Sequence, residues 1–317
     1  MTPIPLVRFG STHLEVSRIG LGTAALGRPA YINLTRELPA ERSIDELRRR
    51  THLMLDAAYG LGVRYFDTAR SYGHGEEFVA TWIEARGHSD AVIGSKWGYR
   101  YVGEWQIDTE VHEVKDHSSA ALERQLGESR RLLGDRLALY QIHSATLDTG
   151  VLEDRAVLYR LVELTADGVV VGLSVSGPAQ ADTIRAALDV DLDGINPFRS
   201  VQATWNPLEP SAAPALAQAH DAGWGVIIKE ALANGRLVTG PDAARLPKVE
   251  GHTPDSVAMA AALAQPWADV VLSGATTPAQ LESNLRALDV DVTELPFDDL
   301  AEDPETYWRR RGDLDWH

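Results

Sequence analysis

Residues 63–77 read VRYFDTARSYGHGEE. The apolar run at 63–66 has the look of a strand, yet it stops on a carboxylate, Asp67, and places Tyr72 in the loop leading to the next helical stretch. The same pattern recurs along the chain. Apolar, β-branched runs stand at SRIGLGT (17–23), RYFDTA (64–69), DAVIGSK (90–96), RLALYQIH (136–143), GVVVGLSV (168–175), RSVQATW (199–205), GWGVIIKE (223–230) and ADVVLSGA (268–275). Between them lie segments with apolar residues at helical spacing, such as IDELRRRTHLMLDAAYGLG (44–62) and SSAALERQLGESRRLLG (118–134). Gly62, Gly134, Gly168 and Gly223 mark helix ends, where the chain must turn left-handed. Eight strand–helix pairs with nearly continuous apolar strands predict a (β/α)8 TIM barrel, because such strands are covered on both faces. A short N-terminal β-hairpin precedes it, and one domain over 1–317 with a C-terminal tail from about 295 is expected. The competing doubly wound sheet normally carries a glycine fingerprint after its first strand. Here GLGTAALG (20–27) has G-x-G but no third glycine at the required place, and the chain has no phosphate-binding G-x-x-x-x-G-K-[ST].

Composition narrows the function classes. A chain of 317 residues with 44% hydrophobic content buries a large core. Its net charge of −16, with no basic run, argues against nucleic acid or an anionic membrane as partner. No basic and apolar leader opens the sequence, and no apolar run approaches the roughly 18 residues of a membrane span. There is no cysteine, hence no disulfide, thiol nucleophile or Cys-ligated zinc. A soluble cytoplasmic protein is expected, and the sequence carries no signal for its oligomeric state.

Three strand-to-helix connections are long, at 24–42, 97–116 and 233–252, whereas the helix-to-strand turns are short. In a barrel all three emerge on the C-terminal rim, where catalysis sits. The same rim collects the last residues of successive strands: Asp67, Lys96, His143, Ser174, Gln202 and Lys229. Asp67 therefore faces the mouth, and Tyr72 folds back over it. A tyrosine gives up its proton near pH 10, and a neighbouring ammonium favours the ionised form. Lys96 supplies that ammonium, Asp67 orients it, and a neutral His143 positions a carbonyl and shares the charge growing on its oxygen. Such a set delivers a proton to a forming alkoxide, while hydride must come from a cofactor.

These residues resemble the aldo-keto reductase superfamily over roughly residues 6–288. FDTARSYGHGEE is similar to the family's F-D-T-A-x-x-Y-G-x-x-E segment, IGSKWG to its lysine-bearing strand end, and LALYQIHSA to its Q-x-H strand end. The resemblance implies Tyr72 as proton donor, Lys96 and Asp67 as its tuning pair, and His143 as the substrate-orienting residue. It also implies a barrel that binds NAD(P)H extended across its C-terminal face, and interconversion of an aldehyde or ketone with its alcohol, a sugar or a natural-product intermediate being the candidate substrates. Ser174 and Gln202 match the carboxamide-binding positions, with Val175 in place of the usual Asn; Lys229 stands where the family usually stacks a tyrosine on the nicotinamide. LANGRL is similar to the loop over the pyrophosphate, which nominates Leu232, Ala233 and Gly235. SGATTPAQLESNL is similar to the adenosine-phosphate site and nominates Gly274, Thr276, Gln280 and Asn284. Lys or Arg is lacking at those matched places, so NADP(H) is expected ahead of NAD(H) only by a narrow margin, resting on the Thr276 and Thr277 hydroxyls.

The loop after Lys96 carries Trp97, Tyr99, Tyr101 and Trp105, as a lid or pocket wall or as aromatics tucked against their own scaffold. Trp97, Tyr99 and His117 are the substrate-pocket candidates, with a core position the alternative for Trp97. In HEVKDH (112–117) the two histidines lie five apart rather than at the i, i+4 spacing of a helical metal pair, so no metal is expected, and His117 suits a substrate contact or a loop–barrel hydrogen bond. Tyr307, Trp308 and Trp316 of the tail reach over the rim, or pack on an outer helix or a second subunit. Two rival functions use the same rim: a lysine Schiff-base isomerase or aldolase acting through Lys96 or Lys229, and a non-catalytic nucleotide-binding regulatory subunit.

Overall fold

The structure, a computed structural model, describes residues 2–32, 34, 37 and 41–316, so part of the 24–42 connection lies outside the described residues. In chain order the strands are β1 (Leu6–Arg8), β2 (Glu15–Ser17), β3 (Ile19–Gly22), β4 (Tyr65–Asp67), β5 (Val92–Trp97), β6 (Tyr99–Tyr101), β7 (Glu113–Lys115), β8 (Leu137–Ala145), β9 (Val170–Val175), β10 (Ser200–Thr204), β11 (Gly225–Lys229) and β12 (Val270–Ser273). The helices are α1 (Ile44–Gly60), α2 (Gly75–Arg86), α3 (Ser119–Leu133), α4 (Arg155–Ala166), α5 (Gln180–Leu188), α6 (Ala213–Asp221), α7 (Gly240–Ala243), α8 (Pro254–Leu263), α9 (Pro278–Leu285) and α10 (Pro304–Gly312). Strands β3, β4, β5, β8, β9, β10, β11 and β12 pair in parallel, in that order, and β12 returns to β3 to close the barrel. A parallel closed sheet leaves no free edge, and each crossover helix covers its outer face.

Local chemistry sets the element ends. Ser43, Ser118, Asp154, Thr277 and Asp303 each cap a helix by accepting a hydrogen bond from a backbone N–H of its first turn. The main core fills the layer between barrel and helices, with Trp82, Leu55, Leu122, Leu161 and Met259 buried in it. A second cluster plugs the N-terminal end of the barrel. There β1 and β2 form the expected antiparallel hairpin, and Phe9 beyond it packs with Tyr65, Leu139, Val170 and Ile227. Gly225 makes room for that plug, since a Cβ there would come within 2.5 Å of the Phe9 ring.

Two of the long connections have structure of their own. Residues 97–116 fold into an antiparallel hairpin of β6 and β7, and 233–252 contains the short α7. The glycines of GLGTAALG serve packing: a Cβ on Gly27 would meet the Tyr72 carbonyl at 2.3 Å, and the Gly27 carbonyl accepts from His74 N at 2.9 Å. The loop after β3 is thereby pressed against the turn that carries Tyr72.

Candidate active site

Asp67 ends β4 and is fixed from three sides. It forms an ion pair with Lys96 of β5, accepts from the Tyr65 hydroxyl at 3.2 Å, and accepts from Gln202 Nε2 of β10 at 2.8 Å. Lys96, wholly buried, also donates to the Thr68 carbonyl at 3.0 Å. Its ammonium lies 5.1 Å from the centre of the Tyr72 ring. His143 approaches Tyr72 edge-on, with ring centres 5.5 Å apart, and its Nδ1 is 3.3 Å from Ser71 Oγ. The three strand-end residues Asp67, Lys96 and His143 and the loop residue Tyr72 thus form one cluster at the mouth.

His143 reaches that cluster through a defect in β8. The pairing of β8 with β9 shifts register between Ile142 and Ala145, and Ser144 sits at φ 50°. A bulge of this kind re-aims a side chain. Ser174 Oγ accepts from the Ser144 N–H at 2.8 Å and holds the bulge.

Electrostatics assign the protons. Burial pushes the Tyr72 phenol well above 10, the Asp67 charge adds to this, and Arg28 pulls the other way. This corrects the expectation that the Lys96 ammonium brings the phenol down: most of that charge is spent on Asp67, and desolvation wins. Burial lowers His143 well below its ordinary value, and the Lys96, Arg28 and Lys229 cations lower it further. At neutral pH the site therefore holds a protonated phenol and an uncharged imidazole.

A cleft of about 730 Å³ opens from Asp67 and Tyr72 across the strand ends of β4, β3, β12, β11 and β10. It is lined by Gln202, Lys229, Leu232, Gly235, Gly274, Gln280 and Asn284 among the sequence-chosen residues; Ser174, Ala233 and Thr276 lie outside it. Thr276 donates to Gln280 Oε1 at 3.1 Å and accepts from Glu37 N at 3.1 Å. Asn284 joins a buried network, accepting from Ser273 and donating to Asp255 at 2.8 Å. The residues present fit a dinucleotide. The first turn of α9 (Thr277, Pro278, Ala279) faces the cleft, and the buried Asn234 Oδ1 on its wall has no partner among the described residues.

Lys229 donates to Thr204 Oγ1 at 2.9 Å, and burial lowers it to about 8. Its neighbour Glu230 adopts φ 56° and pairs with Arg311 of α10 at 2.7 Å. Burial pushes the Glu230 carboxyl up, but the Arg311 and Lys229 charges outweigh it and bring the group down to about 2.

The substrate-pocket candidates have separate placements. Trp97 is wholly buried in the main core and does not line the cleft. Tyr99 stands with its ring 5.0 Å from that of His143. His117 Nε2 donates to the His143 carbonyl at 2.9 Å, and burial brings the ring down to about 4. His112 stacks on Trp316, while Glu113 pairs with Arg28, so HEVKDH faces three different partners. Sequence reasoning missed Arg28, Ser71, Thr204 and Arg311. Arg28 and Arg311 lie outside every strand end and readable motif, while Ser71 sits inside FDTARSYGHGEE and Thr204 ends β10, and each acts through a contact distant in sequence.

Fold and site together define a (β/α)8 barrel with a Tyr, Lys, His and Asp cluster at the head of a dinucleotide-sized cleft. The chain belongs to the Aldo/keto reductase family, whose profile it matches over residues 18–302, and it is an oxidoreductase of the carbonyl and alcohol class. It is 27% identical to the "NADH-specific methylglyoxal reductase" of Escherichia coli, over 93% of this chain and 95% of that one. It is 29% identical to "Uncharacterized oxidoreductase YqkF" of Bacillus subtilis, over 51% of this chain and 45% of that protein, so this match spans less than half of the relative's length. Among solved structures, the holo form of aldo-keto reductase AKR11C1 from Bacillus halodurans shares the fold at a TM-score of 0.70, with 21% identity over 97% of this chain and 96% of that one.

Proposed function

We propose that this protein reduces an aldehyde or ketone, or oxidises the corresponding alcohol, with NAD(P)(H), and that Tyr72 is the proton donor. The observation that carries the proposal is the position of Tyr72: its ring lies against the Lys96 ammonium and the His143 edge, at the head of the cleft. The nucleotide supplies hydride. The chain does the rest. Neutral His143 orients the carbonyl oxygen towards Tyr72, the phenol transfers its proton as charge builds on that oxygen, and the Asp67-held ammonium stabilises the phenolate left behind. The buried Tyr65 and Gln202 contacts keep Asp67 from turning away during the transfer.

The nucleotide would lie along the cleft over Gln202, Lys229, Leu232 and Gly235 towards Gly274, Gln280 and Asn284. Sequence ranks NADP(H) narrowly first. At the far end Gln280 Nε2 donates to the Glu37 carboxylate at 3.2 Å, and Arg50 donates to the Glu37 carbonyl at 3.4 Å. One charge opposes a 2′-phosphate and the other favours it, so both nucleotides belong to the proposal. Parallel titration with NADPH and NADH, read by tryptophan quenching, is expected to give micromolar binding of at least one, and binding of neither by folded protein would defeat the reading. Tyr72→Phe is expected to keep that binding and lose at least about 10²-fold in turnover, the usual worth of a general acid. Near-normal turnover would remove Tyr72 from the role.

A second reading has one observation in its favour: the Lys229 amine, lowered to about 8, lines the cleft and is suited to a Schiff base. Borohydride in the presence of a carbonyl substrate would then leave a mass adduct on Lys229, and its absence would dispose of that reading.

A further inference from the structure

Arg28 is 1% exposed and lies outside every motif read from the sequence. Its guanidinium lies 5.0 Å from the centre of the Tyr72 ring, 4.6 Å from that of Tyr31 and 4.7 Å from that of Trp316. Its Nη1 donates to the Ser71 carbonyl at 3.3 Å, one residue before Tyr72, and its Nε donates to the Ala24 carbonyl at 3.2 Å. Among the described residues it pairs with Glu113 of β7, at 2.7 Å. One buried guanidinium thus joins the loop after β3, the Tyr72 turn, the β6–β7 hairpin and the C-terminal tail.

We propose that Arg28 and Glu113 form an opposed pair of positioning residues that sets the acidity of Tyr72, Arg28 favouring the phenolate and Glu113 disfavouring it. The inference rests on the reading of Tyr72 as proton donor. Lys96 is as close to the ring, at 5.1 Å, and each of the two cations has its own carboxylate, Asp67 for Lys96 and Glu113 for Arg28. The other groups around Tyr72 are neutral or balanced: His143 and Tyr31 are uncharged at neutral pH, and Glu230 is paired with Arg311. Lys229, farther along the cleft, donates to Thr204. Glu113 is carried by the hairpin of the second long loop, so movement of that hairpin changes the field at Tyr72. A cation within 4–6 Å stabilises an ionised acid by an amount equivalent to about one pH unit or more.

The two charges make opposite predictions, and a merely structural role does not. With Arg28→Met the phenolate loses support and Tyr72 ionises at higher pH; with Glu113→Gln a negative charge that opposes the phenolate is removed and ionisation shifts to lower pH. The experiment measures kcat for reduction of 4-nitrobenzaldehyde from pH 6 to 11, with the nucleotide that binds, in the parent, both variants and Arg28→Lys. Because the parent phenol titrates well above 10, the alkaline fall in kcat is expected to come down by about one pH unit towards the middle of the range in Glu113→Gln, to be absent up to pH 11 in Arg28→Met, and to stay near the parent in Arg28→Lys. A tyrosinate absorbance titration of each protein, differenced against the same protein carrying Tyr72→Phe, reads the same midpoint without substrate. A Glu113→Gln midpoint that does not come down, or an Arg28→Met midpoint that does, overturns the inference. If Arg28→Met does not fold, Glu113→Gln and Arg28→Lys still decide it. If Tyr72→Phe retains turnover, the proton-donor reading falls, while the absorbance titration still tells whether Arg28 and Glu113 act on Tyr72.

Discussion

Tyr72 holds its proton because burial and the Asp67 charge both oppose the phenolate, while His143 stays uncharged beside three cations. Proton delivery at neutral pH follows from that pairing of a protonated donor with a neutral orienting group. Lys229 carries a pH signature of its own. Its amine is lowered by burial to about 8, against 10.5 for the free side chain, so between those values the unfolded chain binds more protons than the folded one. Stability should therefore rise with pH across that window. Lys229→Met is expected to abolish the rise, as read from urea midpoints at pH 7.5, 9 and 10.5; an unchanged slope would mean that the amine is not desolvated. Asp67, Lys96 and His143 were legible in the sequence because strand ends of a parallel barrel share a rim. Arg28 was not, since its partner Glu113 lies 85 residues away in a loop whose fold no periodicity announces.

At the scale of elements, α2 is tied to its neighbours by one buried carboxylate. Glu76 accepts from Ser95 of β5 at 2.5 Å, from Ser129 of α3 at 2.7 Å, and from Arg70 at 2.7 Å, ahead of α2 itself. Removing it leaves two hydroxyls and a guanidinium without their acceptor. Glu76→Ala is expected to cost about 3 kcal/mol, the lower end for breaking a buried pair, measured by chemical denaturation. A loss below about 0.5 kcal/mol would class it with surface pairs. Helices and barrel strands were readable from apolar spacing, because each buries a face over many residues. The β6–β7 hairpin was not: strands of 3 residues are too short to show alternation, and the segment showed only its aromatic content. Trp105 of that segment donates to the Arg42 carbonyl at 2.7 Å, which joins the second long loop to the first.

At the scale of the molecule, closure of the eight-stranded barrel brings the tail back to the rim. Tyr307 of α10 is buried and its hydroxyl accepts from Asn206 at 3.0 Å, while Arg311 pairs with Glu230 on the wall of the cleft. The tail therefore packs over the rim, one of the three placements open from sequence. The folded Glu230 carboxyl is held at about 2 against an ordinary 4.5, so the pair's stabilisation is complete above about 4.5 and is lost as pH falls towards 2. Arg311→Met is expected to lower the thermal midpoint at pH 6 and to converge on the parent as pH falls from 4.5 to 2, followed by calorimetry. A constant gap over that range would show that the pair does not govern acid stability. The barrel, its N-terminal hairpin and the residues at its strand ends were already written in the order of residues, because burial and strand polarity are encoded by local spacing. Only the tertiary structure decided which charges surround Tyr72, where Ser174 and Trp97 are spent, and how α10 closes on Glu230. Those outcomes depend on distances between residues far apart in the chain, which are set when the barrel closes.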